Sequence, residues 1–186
     1  MLSLKIIFNS FLLVSLTEMG DKTQLLAFVL ATRFKKPWSI FAGIFVATVL
    51  NHLMAASAGV WVANTISPLI LKRILAAIFL IFAVWILIPD KDEGLSETRK
   101  WGPFLTTVVT FFLAEMGDKT QIATVTLAAK YHDIILVTVG TTIGMMVTDG
   151  LAVFFGDKMT KYIPMKWVHI LAAILYIVFA VGILLS

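Results

Sequence analysis

Cysteine is absent from these 186 residues. Disulfides, thiolate metal sites and redox chemistry at sulfur are therefore excluded. Charge is scarce as well: Asp, Glu, Lys and Arg make up 14% of the chain against 60% hydrophobic residues. The mean hydropathy of +0.97 lies beyond the range of water-soluble domains, so the chain reads as an integral membrane protein. A net charge of +4 would suggest nucleic acid in a soluble protein. Here the basic residues stand mostly at the ends of apolar segments, where positive-inside sorting accounts for them, and no nucleic-acid partner is expected. No small-residue cleavage site follows the first apolar run, which therefore reads as a spanning helix and not as a signal peptide.

What the chain does have is a repeated seven-residue stretch. Glu18-Met19-Gly20-Asp21-Lys22-Thr23-Gln24 returns unchanged as Glu115-Met116-Gly117-Asp118-Lys119-Thr120-Gln121. Each copy sits inside an apolar segment, with Ile6 to Leu16 before the first and Phe104 to Ala114 before the second. A charged residue at the centre of a membrane helix costs about 2.5–3.5 kcal/mol on translocon scales. Two complete copies exceed what one structural salt bridge requires, so the motif is expected to carry the function.

Six apolar segments reach the roughly 20 residues needed to cross a bilayer: 6–31, 38–62, 69–88, 104–129, 134–156 and 165–185. A shift of 97 residues superposes the two motifs. It also lays Gly43 on Gly140, Gly59 on Gly156 and Phe82-Ala83-Val84 on Phe179-Ala180-Val181. The expected fold is all-α and integral to the membrane, with six transmembrane helices forming two three-helix repeats. These are residues 1–88 and 104–186, joined by a charged linker over 89–103. Three helices per repeat is an odd number, so the second repeat enters from the opposite face and the repeats are inverted. Arg33, Lys35, Lys36, Lys91, Arg99, Lys100, Lys158, Lys161 and Lys166 fall on one side, against Lys5, Lys72, Arg73 and Lys130 on the other. That bias places both termini outside and the central loop in the cytoplasm.

On a helix, residues three apart share a face, so Glu18, Asp21 and Gln24 form one column of oxygen donors and Glu115, Asp118 and Gln121 another. Gly20 and Gly117 either let a facing helix approach or let the helix open toward a ligand. If the columns meet, four carboxylates share a dry site, and such a site must hold a cation or protons. Those are the two loading states of a cation/proton antiporter, because a carboxylate releases its proton before it ligates metal. All-oxygen ligation selects hard divalent ions, and magnesium's reluctance to dehydrate leaves Mn2+ or Ca2+ as transported ions, with protons as counter-ion and no bound cofactor. Lys22 and Lys119 either compensate the acids when the metal has left or serve as structural counter-ions. Thr23 and Thr120 either add hydroxyl ligands or satisfy backbone carbonyls, the second being the default expectation. Asp149 is the remaining acid within an apolar segment, and the shift sets His52 opposite it. Asp149, His52 and its neighbour Asn51 are candidates for proton coupling. The third and sixth segments carry no acid and read as scaffold.

Glu-x-Gly-Asp-Lys-Thr, twice, in six segments split by a charged loop, resembles the Gdt-type cation/proton exchanger family across nearly the whole chain. The resemblance implies export of manganese, or calcium, from the cytoplasm against protons, with Glu18, Asp21, Glu115 and Asp118 as the binding acids. The chain begins without the additional amino-terminal segment of the larger eukaryotic members, which points to a bacterial inner membrane. Two other readings stand beside this one: export of a cationic amino acid, and an intramembrane lipid pyrophosphate phosphatase. The second calls for arginine or another strong anion-binding group near the acids, and no arginine occurs inside a span.

Overall fold

The computed structural model describes residues 2–85, 87, 101–162 and 165–185, with the side chains of 156–162, 165, 168 and 169 outside the description. The expected linker falls almost entirely outside the described residues. Among those described there are eight helices and no strand. They are α1 (Leu2–Glu18), α2 (Lys22–Phe34), α3 (Pro37–Thr65), α4 (Pro68–Trp85), α5 (Gly102–Glu115), α6 (Lys119–Tyr131), α7 (Ile134–Tyr162) and α8 (Met165–Leu185).

The first and fourth of the expected spans are interrupted, which is the second of the two readings of Gly20 and Gly117. Each stops at the motif glutamate and restarts beyond the motif aspartate. The cause is local: Gly20 and Gly117 have φ of 87° and 79°, a left-handed conformation open to glycine and costly for other residues. Asp21 and Asp118 then take up nearly identical extended N-cap positions, with φ/ψ of −81°/167° and −78°/168°. Across the first break the chain bends by 74°. Both short helices end alike, on Lys35 and His132 in left-handed conformation, whose N–H groups bond to Ala31 O and Ala128 O.

The outer surface of the bundle is apolar and its interior is partly polar. Trp38 is 74% exposed and Trp167 68%, whereas Glu18, Asn51, Thr48 and Asp149 are sealed inside. In water this arrangement would be unstable, but in lipid it is the stable one. Several threonines inside the bundle bond locally, as Thr141 does to Val137 O (2.9 Å) and Thr124 to Thr120 O (2.8 Å), so these hydroxyls need no water. Three helices, Pro37–Thr65, Pro68–Trp85 and Ile134–Phe155, are long and apolar enough to cross a membrane, and the bent pair α1–α2 makes a fourth. Helix α5 is apolar but shorter. The chain is therefore a multi-pass, all-α membrane protein.

The same 97-residue shift that carries Asp21 onto Asp118 carries α2 onto α6, α3 onto α7 and the start of α4 onto that of α8. It holds in the packing too. A Cβ on Gly43 would stand 2.7 Å from Thr107 Cβ and 2.9 Å from Phe104 O, and one on Gly140 would stand 2.8 Å from Ser10 Cβ and 2.5 Å from Ile7 O. These contacts interchange under the shift. They press α3 on α5 and α7 on α1, so each half receives the other's first helix and the two halves form one body. An aromatic cluster joins α4 to α8, with Phe79 5.9 Å from Tyr176 and 5.4 Å from Phe179 between ring centroids.

Candidate cation site

Breaking the helix at each motif undoes the expected columns of donors. Glu18 and Asp21 are no longer one turn apart on a helix face: one ends α1 and the other begins α2. What the break provides is convergence across the molecule. One carboxylate oxygen from each of Glu18, Asp21 and Asp118 lies within 4.8 Å of the other two, and all three residues are buried. Both motifs thus contribute to one group.

The elements around the breaks hold it in place. The N–H of Asp21 bonds to Glu18 O at 3.1 Å, and that of Asp118 to Glu115 O at 3.2 Å. The glutamines brace the turns, with Gly20 N–H donating to Gln24 Oε1 (3.0 Å) and Gly117 N–H to Gln121 Oε1 (2.7 Å). Gln24 also donates to Thr148 O at 3.0 Å, tying α2 to α7. The structure therefore places Gln24 and Gln121 in the motif backbone, and their amide oxygens accept from it. Asn51 has a comparable task. It donates to Phe112 O at 3.1 Å, a carbonyl that the early end of α5 leaves without its helical partner.

Glu18 is fastened on both oxygens. Thr23 Oγ1 donates to Oε2 at 2.8 Å, and Thr120 Oγ1, from the other motif, donates to Oε1. The default expectation for these threonines, service to backbone carbonyls, is overturned for both hydroxyls. The reason is the break, which turns the start of α2 and of α6 toward the end of α1. Glu115 is buried too, but neither of its oxygens accepts a hydrogen bond among the described residues, and it stands outside the three-oxygen group. It remains electrostatically linked to Asp118, Asp149, Asp21 and Lys22. Glu18 in turn interacts with Glu115, Asp149 and Asp118, which puts Asp149 of α7 within reach of both glutamates. His52, set opposite Asp149 by the shift, is buried with neither ring nitrogen hydrogen-bonded among the described residues.

The two lysines differ in setting. Lys22 is 34% exposed and its Nζ lies 3.8 Å from Asp118 Oδ1, across to the other half. Lys119 is 4% exposed, with Nζ 5.6 Å from the Trp85 ring centroid, a cation–π contact.

Sequence reasoning missed Thr17, Tyr176 and Trp85. Thr17 donates to Leu13 O (2.8 Å) and its hydroxyl also pairs with Tyr176 OH (2.8 Å). Since the threonine proton is already given to Leu13, the tyrosine is the donor. Tyr176 lies within electrostatic reach of Glu18 and Asp118. Helices α4 and α8, expected to be scaffold, therefore both touch the site's surroundings. A signal was present: under the shift these residues face Ala114, Phe79 and Gly182, differences in polarity or bulk between otherwise matching halves.

A buried group of carboxylates that outnumbers its ammonium partners is stable only if a cation or protons complete it. The donor set is all oxygen, the kind that hard divalent ions take.

Comparison with known proteins agrees with this chemistry. The sequence pattern of the family described as "Divalent cation/proton antiporter GDT1" matches residues 6–94 and 103–186. The "Putative manganese exporter" of Vibrio cholerae serotype O1 is 46% identical over 170 residues, covering 91% of this chain and 85% of that protein. GDT1-like protein sll0615 of Synechocystis is 27% identical over 195 residues (91% and 92% covered). GDT1-like protein 3 of Arabidopsis thaliana is 26% identical over 204 residues (95% and 69%). No solved structure matches the chain.

Proposed function

This chain belongs to the GDT1 family of divalent cation/proton antiporters, and from that premise we propose that it exports Mn2+ from the cytoplasm in exchange for protons. The observation that carries the reading is the three-oxygen group of Glu18, Asp21 and Asp118, which draws its ligands from both copies of the motif. The name of the Vibrio relative supports manganese as cargo. The all-oxygen donor set also accepts calcium, and competition between the two ions ranks them. Family membership sets aside the phosphatase and amino-acid exporter readings, and the protein is a transporter, not an enzyme.

In this reading Glu18, Asp21 and Asp118 ligate the ion directly, and Glu115 and Asp149 complete the acidic surroundings. Lys22 offsets Asp118 when the ion has left. Gln24, Gln121, Gly20, Gly117 and Asn51 hold the two helix breaks open. A carboxylate cannot ligate metal while it keeps its proton, so metal entry expels protons and proton entry expels metal. Antiport then needs no separate coupling device, and the protons belong to the cluster as a whole.

The six-span, inverted-repeat architecture is part of the same proposal. Helix pairs α1–α2 and α5–α6 each form one broken span, residues 1–88 and 104–186 are the two repeats, and 89–103 is the cytoplasmic linker. It is supported by the contacts that interchange under the 97-residue shift. Both termini then lie outside a bacterial inner membrane. A reporter fused to the carboxyl terminus is expected to be active outside the cytoplasm, and cytoplasmic activity would overturn this topology. The exchange itself is tested by following manganese and proton fluxes together in vesicles reconstituted with the purified protein.

A further inference from the structure

The two motifs are identical in sequence, yet their glutamates are not in the same situation. Thr23 and Thr120 both donate to Glu18, while Glu115 receives neither. A hydroxyl has one proton to give. The pair that fastens Glu18 therefore has no donor left for Glu115.

Applying the 97-residue shift to each bond gives the complementary arrangement. Thr23 to Glu18, a bond within the first motif, becomes Thr120 to Glu115. Thr120 to Glu18, a bond between motifs, becomes Thr23 to Glu115. The same two hydroxyls are the donors in either case, and only one arrangement exists at a time. The cation group transforms in the same way. Glu18, Asp21 and Asp118 become Glu115, Asp118 and Asp21. Both aspartates are common to the two sites, and only the glutamate changes.

Resting on the cation site described above, we propose that the two glutamates serve the ion in turn. Asp21 and Asp118 hold it throughout, Glu18 completes the site when it opens to one face of the membrane, and Glu115 completes it when it opens to the other. Thr23 and Thr120 are positioning residues that fasten whichever glutamate is engaged. Inverted repeats suit this device, because exchanging the conformations of two such repeats exchanges the accessible face. The chain also favours the observed arrangement. The Thr17–Tyr176 hydrogen bond and the seat of Lys119 against Trp85 belong to it alone, since their counterparts are Ala114, Phe79 and Gly182.

The test is the KM for manganese, measured from each face in right-side-out and in everted vesicles. Glu18→Asp is expected to raise KM on one face by about tenfold and on the other by less than about threefold, with Glu115→Asp showing the reverse. Tenfold is within the range set by disturbed metal-ligand shells. Thr23→Val and Thr120→Val are each expected to raise KM on both faces. Thr23→Ser and Thr120→Ser keep the hydroxyl and are expected to match the parent, which separates a lost donor from lost packing. The proposal is overturned if Glu18→Asp and Glu115→Asp act on the same face or equally on both, or if either Val variant acts on one face only or on neither. Failure of the underlying site looks different: the parent protein would not exchange manganese for protons, or no acidic variant would move KM on any face.

Discussion

Glu18→Gln and Asp118→Asn are each expected to abolish manganese export while leaving the protein folded in the membrane. Each substitution keeps the shape of the side chain and removes a negative charge from the three-oxygen group. A hard divalent ion is held by charge and oxygen count, and a neutral amide supplies less of both. The loss is expected to be about a hundredfold or more, corresponding to two factors of ten in ligand free energy. The fold should not suffer. Glu18 and Asp118 are buried among other acids, and removing one of several like charges relieves repulsion. In Glu18→Gln the side-chain oxygen still accepts from a threonine. Transport in reconstituted vesicles and a thermal melt of the purified variant check both halves: a variant retaining half the parent rate, or one that fails to fold, would contradict the account.

The second large effect is expected from packing. Gly140→Leu should prevent α1 from seating on α7 and abolish both stable folding and transport. The new Cβ would stand 2.5 Å from Ile7 O and 3.1 Å from Ile7 Cα, which are backbone atoms that cannot rotate away. Overpacking of this kind costs about 1–3 kcal/mol where neighbours can shift, and more where they are main chain. Gly144 repeats the contact one turn on, against Phe11 O at 2.8 Å. Because α1 ends on Glu18, displacing it also moves the carboxylate away from Asp21 and Asp118. Gly182→Leu is the control: a Cβ there would meet nothing within 4 Å among the described residues, and both the melting temperature and the rate should match the parent. Equal behaviour of the two variants would show that the close approach of α1 and α7 is not what holds the bundle together.

Much of this was legible in the chain. The duplicated motif is a matter of identity, and the apolar runs mark where α3, α4 and α8 begin and end, and where α7 begins, to within a few residues. The acids could be assigned to a buried site because charge in an apolar segment is too costly to be incidental. The helix breaks were less visible. Hydropathy carries no information about backbone angles, and a lone glycine in an apolar run is compatible with close packing as well as with a left-handed turn. The difference between Glu18 and Glu115 could not be read at all from the motif, since all seven residues are the same. It arises from Thr120 reaching across to the other half, a contact between residues 102 apart in sequence. The hydroxyl of Tyr176 was hidden for a related reason: it lies in a helix that looked apolar and structural until packing set it beside Thr17, the neighbour of Glu18.

The central claim is that acids from both motifs hold one hard cation and release it to protons. It is tested most directly in sealed vesicles containing the purified protein, with a manganese-sensitive dye and a pH dye read together. The account predicts that manganese moving in one direction is matched by protons moving in the other, and that Asp118→Asn stops both. Manganese moving without an opposed proton flux would contradict it.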